Sequence, residues 1–170
     1  MRIETPFGPA WAAVNEPGEL TRLHFGEPIS SPGADCPHVA QQVAEYFRGE
    51  RLEFDLALRP EGTPFQKRVW RELMRIPIGT TISYGELARR VEQPGAARAV
   101  GRANATNPIW LIVPCHRVIG SNGKLTGYGG GVDLKDKLLA WERKVVPGRQ
   151  TELWGSPVAL SGWSAPRGTS

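Results

Sequence analysis

Residues 83–105 read SYGELARRVEQPGAARAVGRANA, and the fold turns on how this run is parsed. Ser83 and Glu86 have the spacing of a capping box, in which each side chain satisfies a backbone N–H of the other, so a helix is predicted to open here. Leu87, Ala88 and Val91 give it an apolar face. Gln93-Pro94-Gly95 breaks the chain, because proline lacks a donor and glycine reaches left-handed turns. A further helix is predicted over residues 96–105. Two short helices across a tight turn make a helix-turn-helix pattern. The second is almost all alanine and glycine, apart from Arg98 and Arg102 one turn apart. Small side chains let a backbone approach a nucleic-acid groove, and arginines contact its phosphates. The same composition also suits a tightly packed core helix with two solvated arginines.

Upstream, Thr63 is placed to cap a helix beginning at Pro64, where the missing N–H does no harm. Phe65, Val69 and Leu73 share one stripe before Pro77 stops it. Glu61-Gly62-Thr63 marks a domain junction. Downstream, Asn107-Pro108 ends the helix pair, residues 109–113 (IWLIV) are predicted as a buried strand, and Pro114 stops that strand. Cys115-His116-Arg117 follows at once. A cysteine at the exit of a rigid strand, beside a histidine and an arginine, sits where a thiolate could be stabilised and exposed. A buried structural cysteine next to a surface histidine satisfies the same letters. Residues 127–131 (GYGGG) read as a loop of close approach that could admit a ligand. The last helix is predicted to start near Asp133, with Leu134, Leu138 and Trp141 inward and Glu142 on the same side. A carboxylate on an apolar stripe wants a partner, and a histidine is the obvious one.

Before the junction the chain reads as a small β-rich unit. Apolar runs at residues 10–14 and 20–25 are separated by Pro/Gly/Asn turn signals. A helix is predicted over residues 37–47, with Val39, Val43, Tyr46 and Phe47 as its stripe and Gly49 placed to end it. Residues 51–58 alternate strictly, with Leu52, Phe54, Leu56 and Leu58 on one face, which predicts a strand with one buried side. His24, Cys36 and His38 match no zinc spacing.

Charge is segregated along the 170 residues, whose formal net charge is +4. Residues 1–60 carry 5 basic and 9 acidic side chains, residues 61–131 carry 10 and 4, and residues 132–170 carry 6 and 4. A polyanion would therefore meet the middle of the chain. No apolar run is long enough to span a bilayer, residues 1–13 (MRIETPFGPAWAA) do not read as a secretory leader, and two cysteines make no disulfide framework. A cytoplasmic protein with no membrane partner is expected.

Pro114-Cys115-His116-Arg117-Val118 following Asn107-Pro108, with Ser83-Tyr84-Gly85, residues 96–101 (AARAVG) and Gly127-Tyr128 in the same order, resembles the active-site signature of the O6-alkylguanine-DNA alkyltransferases, which repair DNA by direct reversal. The likeness runs from about Thr63 to Glu142, and residues 1–60 match only in length and strand-helix-strand order. It implies an α+β fold: a small ribonuclease H-like α/β domain over 1–60, a catalytic winged helix-turn-helix domain over 61–145, and a tail over 146–170. The activity it implies is irreversible, single-turnover transfer of the alkyl group from O6-methylguanine, and also from O4-methylthymine, to Cys115 after base flipping.

The resemblance also assigns roles. Cys115 is the acceptor, an ordered water links it to His116, Glu142 orients that histidine, and Asn107 braces the active-site turn. Tyr84 donates to N3 of the base and turns its phosphate, while backbone groups of Cys115 and Val118 face the base. Arg98 fills the gap left by the flipped nucleotide, Ser121 contacts a phosphate, and the backbone from Ala97 through Ala99 to Gly101, with Arg102, lies along the minor groove. Some members carry serine where this chain has Gly129, so here only a backbone N–H approaches O6. Others have proline or alanine where Trp110 stands, and Trp110 is expected to narrow the pocket. No metal or organic cofactor is implied. The implied partner is double-stranded DNA with alkylated bases, bound by a monomer that makes cooperative contacts with neighbours on the duplex. Cys115 argues against the alkyltransferase-like proteins, which bind the lesion but lack the cysteine. A winged-helix regulator would need base-reading polar side chains on its second helix.

Overall fold

The structure is a computed structural model that describes residues 1–31, 33–125 and 128–148. It mixes helix and sheet, and these residues fall into two compact units, Met1–Glu61 and the residues from Gly62 onward.

In the first unit, β1 (Arg2–Ile3), β2 (Ala10–Val14) and β3 (Leu20–Phe25) form an antiparallel sheet in the order β1-β2-β3. The β2–β3 hairpin closes through Asn15, whose Oδ1 accepts from Glu19 N at 2.9 Å, while Gly18 takes the left-handed conformation that the turn requires (φ 87°). The apolar runs become these strands with Ala10, Ala12, Ala13 and Val14 buried on β2, where a bulge falls at Ala13/Val14, and Leu20, Leu23 and Phe25 buried on β3. Helix α1 (Pro37–Phe47) buries Val39, Val43, Tyr46 and Phe47, the stripe read from the sequence. Phe7 meets Phe47 edge-on at 5.5 Å.

The strand predicted over residues 51–58 does not form. Its one-sided burial is real, since Leu58 is buried, Leu52, Phe54 and Leu56 are half-buried, and the residues between them are more exposed. The backbone, however, is satisfied elsewhere. Gln42 clasps Asp55 at both ends, with its Nε2 donating to Asp55 O at 2.8 Å and its Oε1 accepting from Asp55 N at 2.9 Å. Only Leu58 makes a bridge, parallel to Leu20. Side-chain hydrogen bonds have replaced a ladder, which alternation alone does not reveal.

The second unit opens with α2 (Pro64–Leu73). Thr63 caps it in a reciprocal capping box with Gln66, and the helix ends four residues short of Pro77. A two-stranded parallel pair, β4 (Ile82–Ser83) with β5 (Val118–Ile119), brackets the helix pair α3 (Tyr84–Arg90) and α4 (Ala97–Ala105). Ser83 accepts from Glu86 N at 3.1 Å, but the capping box expected here is only half made. The Glu86 carboxylate is taken by Arg89 and Arg90 instead. Between α3 and α4 the chain reverses through Glu92 (φ 60°) and Gly95 (φ 87°).

Helix α4 carries little side chain with which to interlock, and α2 supplies the grip: Trp70 Nε1 donates to Ala103 O at 2.8 Å in the buried interior. Helix α5 (Val132–Val145) closes the unit and runs into a 3-10 turn, Val146–Gly148. Among the described residues, no helix is long and apolar enough to cross a membrane. Nearly all of the segment read as a tail, and Gly127 of the glycine loop, lie outside the described residues.

Candidate active site

The run Ile109–Val113, predicted as a strand, is a buried turn. Asn107 organises it from within, as its Nδ2 donates to Val113 O at 2.7 Å and its Oδ1 accepts from Ile109 N at 3.0 Å. Leu111 bears a steric cost in the left-handed region (φ 71°) while its side chain stays 1% exposed. Five apolar residues in a row mark burial, and they do not by themselves choose between a strand and a turn.

Cys115 therefore leaves a braced turn, not a strand, and begins the 3-10 turn Cys115–Arg117. It is also buried, where exposure was expected. Burial pushes its thiol up to about 11, against the opposing pull of the Asn107 side chain and the Lys135 ammonium. At neutral pH the resting group is a thiol, so a nearby base must take its proton before it can attack.

The next residue is a histidine. His116 is fully buried, and its Nε2 lies 2.7 Å from Glu142 Oε1. Burial holds the imidazole below its ordinary range, despite the pull of Glu142 in the other direction. In the neutral ring Nε2–H donates to the carboxylate, which leaves Nδ1 as the acceptor. Nδ1 is buried and has no hydrogen-bond partner among the described residues, and the same holds for the Tyr128 hydroxyl.

Glu142 is held by more than the histidine. Arg117 donates to it twice, through Nε at 2.9 Å and Nη2 at 2.8 Å, and its Nη1 donates to Ile76 O at 2.7 Å. Burial alone would raise the Glu142 carboxyl, but His116 and Arg117 together keep it well below the usual carboxylate range.

On α5 the buried stripe is Leu134, Lys135, Leu138, Leu139 and Glu142, and Trp141, expected inward, is half-buried. Lys135 is 0% exposed, and its Nζ donates to Val118 O at 2.6 Å. Sequence reading passed over Lys135 and Asn104, and it placed Arg117 beside the thiol, whereas the structure puts it on Glu142. Lys135 lies seven residues before Glu142, hence on the same helix face. Asn104 shares the buried face of α4 with Val100 and Ala103, and its Nδ2 donates to Cys115 O at 3.3 Å.

Around this centre, Val118 is buried on β5, and the Trp110 and Tyr128 rings lie 5.3 Å apart, tilted by 43°. A Cβ placed on Gly129 would stand 2.5 Å from Trp110 Cζ2, so tryptophan at 110, where it lies, requires glycine at 129. Tyr84 starts α3, with its ring in ordinary contact range of Gly101 on α4. Arg98, Gly101 and Arg102 line an open recess of about 440 Å³, while Ala97 is exposed and Ala99 half-buried on the same helix. Ser121 is exposed in the turn after β5. The structure thus joins Cys115, His116, Glu142 and Asn107 in one buried cluster and gathers the α4 residues on a separate surface.

Known proteins share this architecture. Residues 64–144 match the family described as 6-O-methylguanine DNA methyltransferase, DNA binding domain. A methylated-DNA–protein-cysteine methyltransferase of Mycolicibacterium paratuberculosis is 59% identical over 157 residues, covering 88% of this chain and 94% of that protein. One from Methanosarcina acetivorans is 47% identical over 149 residues, covering 82% and 95%. The crystal structure of Mycobacterium tuberculosis OGT in complex with DNA superposes with a TM-score of 0.78 at 49% identity, covering 85% of this chain and 92% of that one.

Proposed function

The chain belongs to the methylated-DNA–protein-cysteine methyltransferases, and from that membership we propose that Cys115 is the cysteine that receives the alkyl group. The activity is transfer of an alkyl group from damaged DNA to the protein itself, in DNA repair. The observation that carries the assignment is the buried His116–Glu142 pair next to Cys115 in sequence, with Nδ1 left as the acceptor.

The Cys115 proton passes, through the water implied by the family, to His116 Nδ1, and Glu142 stabilises the imidazolium as it forms. Sulfur then displaces guanine at the methyl carbon. The S–C bond forms as the C–O6 bond breaks, and the base leaves as a delocalised anion that takes up a proton. Donors at N3 and O6, assigned to Tyr84 and the Gly129 N–H, stabilise that charge. The product is a thioether that no neighbouring group hydrolyses, so each molecule acts once. O4-methylthymine is a further substrate, and no cofactor enters.

DNA meets the basic face of α4. Arg98 replaces the flipped nucleotide, the backbone of Ala97, Ala99 and Gly101 follows the minor groove with Arg102, and Ser121 takes a phosphate. Backbone groups of Cys115 and Val118 face the base, and Asn107 holds the turn. The β4–β5 pair beside α3 and α4 supports a winged helix-turn-helix domain over 61–145. The three-stranded sheet followed by α1 supports a ribonuclease H-like domain over 1–60, and residues 146–170 form a tail. The protein acts as a cytoplasmic monomer, with contacts between neighbours on the duplex.

Mass spectrometry after mixing with a duplex carrying one O6-methylguanine tests the proposal. One methyl on the Cys115 peptide, stoichiometric and absent in Cys115→Ala, is the expected result. Lesion binding with Cys115 unmodified would overturn it and leave a damage sensor.

A further inference from the structure

Away from the reactive cluster, α2 and the end of α3 enclose a recess of about 330 Å³ that the reaction does not use. Arg68 and Arg71 reach it from α2 at a spacing of three, Arg75 from the turn just after that helix, and Arg90 from the end of α3. Two carboxylates, Glu72 and Glu92, share the lining. Glu72 already holds Arg75 at 2.8 Å, and Arg90 is paired on its own helix with Glu86 at 3.3 Å. These exposed ion pairs are weak and exchange readily for a stronger anion. Arg71 is half-buried, and burial pushes its guanidinium down, the direction that a bound anion would reverse. Arg68 adds a hydrogen bond from Nη2 to Val91 O, which fixes one fork at the wall.

We propose that this arginine recess is a second phosphate-binding site, occupied by a backbone phosphate of the same duplex beyond the stretch that lies along α4. Guanidinium forks match phosphate oxygens. The recess offers no exposed apolar anchor, since Val91, its apolar lining residue, is buried, and a docking protein would need one. Its lip, Glu92, lies in the turn that leads directly into α4. A duplex carries one charge per about 1.7 Å of axis, so a phosphate is available wherever the helix track passes that turn. The inference rests on the DNA-binding reading above.

The test compares R75Q/R90Q and, separately, R71Q with wild type. Duplex affinity is measured across a salt series, alongside the alkylation of Cys115 by free O6-benzylguanine, which needs no DNA. The slope of log affinity against log salt is expected to fall by about 0.9 for each phosphate that is no longer neutralised, with free-base alkylation unchanged. R2Q/R48Q, which removes the same charge from the first unit, is expected to leave the slope nearly intact. An unchanged slope in both recess variants, or an equal fall in R2Q/R48Q, would sink the site. So would wild-type binding of inorganic phosphate that the recess variants lose while their duplex slopes stay put, because the recess would then hold the free anion. Methyl transfer from duplex to wild type, read in the same samples, separates failure of this site from failure of the repair function.

Discussion

The two units bury different materials. Among the described residues, the interior of Met1–Glu61 is apolar, built on Ala12, Leu20, Leu23, Val39 and Val43 with the Tyr46 ring. From Gly62 onward the interior also takes in Asn104, Asn107, His116, Arg117, Lys135 and Glu142. Burying charge is costly unless each group is paired, and here each charge is: Glu142 by His116 and Arg117, Lys135 by a carbonyl. The second unit holds His116, Glu142 and Cys115, the residues proposed for the reaction, in one dry place, which is where perturbed pKa values gather.

Removing one buried partner gives the sharpest contrast. Glu142→Ala leaves Arg117 and His116 without their acceptor and is expected to cost about 3–5 kcal/mol, together with most of the methyl-transfer rate; urea melts and single-turnover assays read the two effects. Leu23→Ala in the first unit is expected to cost about 3 kcal/mol through its cavity while leaving methyl transfer per folded molecule intact. A matching loss of rate there would erase the distinction between the units. Gly129→Ser forces a side chain into Trp110 and is expected to cost about 2 kcal/mol, recovered in Gly129→Ser/Trp110→Ala. Trp110→Ala alone is expected to speed inactivation by free O6-benzylguanine, and equal sensitivity would show that Trp110 does not narrow the pocket.

Protonation separates the units more gently. His116 titrates below its unfolded value near 6.5. Its contribution is complete above that pH and is lost as pH falls, because the unfolded chain then binds a proton that the folded one refuses. The expected slope is at most about 1.4 kcal/mol per pH unit, and a denaturation series from pH 7.5 to 5.5 that stays flat would contradict it. Glu142 is held so low that its own loss comes in stronger acid. The smallest effect belongs to the exposed boundary: Thr63→Ala removes the α2 cap and is expected to lower stability by about 1 kcal/mol in a thermal melt, without touching the reaction.

The sequence was most legible where local chemistry decides. The cap at Thr63, the stripe of α1 and the break at residues 93–95 are set by neighbours within a few positions, and all appear as read. It was least legible where a distant side chain decides. Asn107 bends an apolar run into a turn, and Gln42 satisfies the backbone at Asp55 that would otherwise seek a strand. At the site, cysteine, histidine and glutamate were visible through their order. Lys135 was not, and Arg117 was seen only as a neighbour of the cysteine, since a basic side chain does not reveal its buried carbonyl or carboxylate until that partner is found.

Asn104 has a consequence for any attempt to re-engineer this protein. It belongs to α4, yet its amide donates to Cys115 O, so the helix assigned to the duplex and the carbonyl of the reactive residue share one bolt. Exchanging α4 for a foreign recognition helix would also loosen the turn that carries the thiol, unless the graft brought its own asparagine at that position. Target choice and chemistry are therefore not separable modules here, and selection on either one constrains the other.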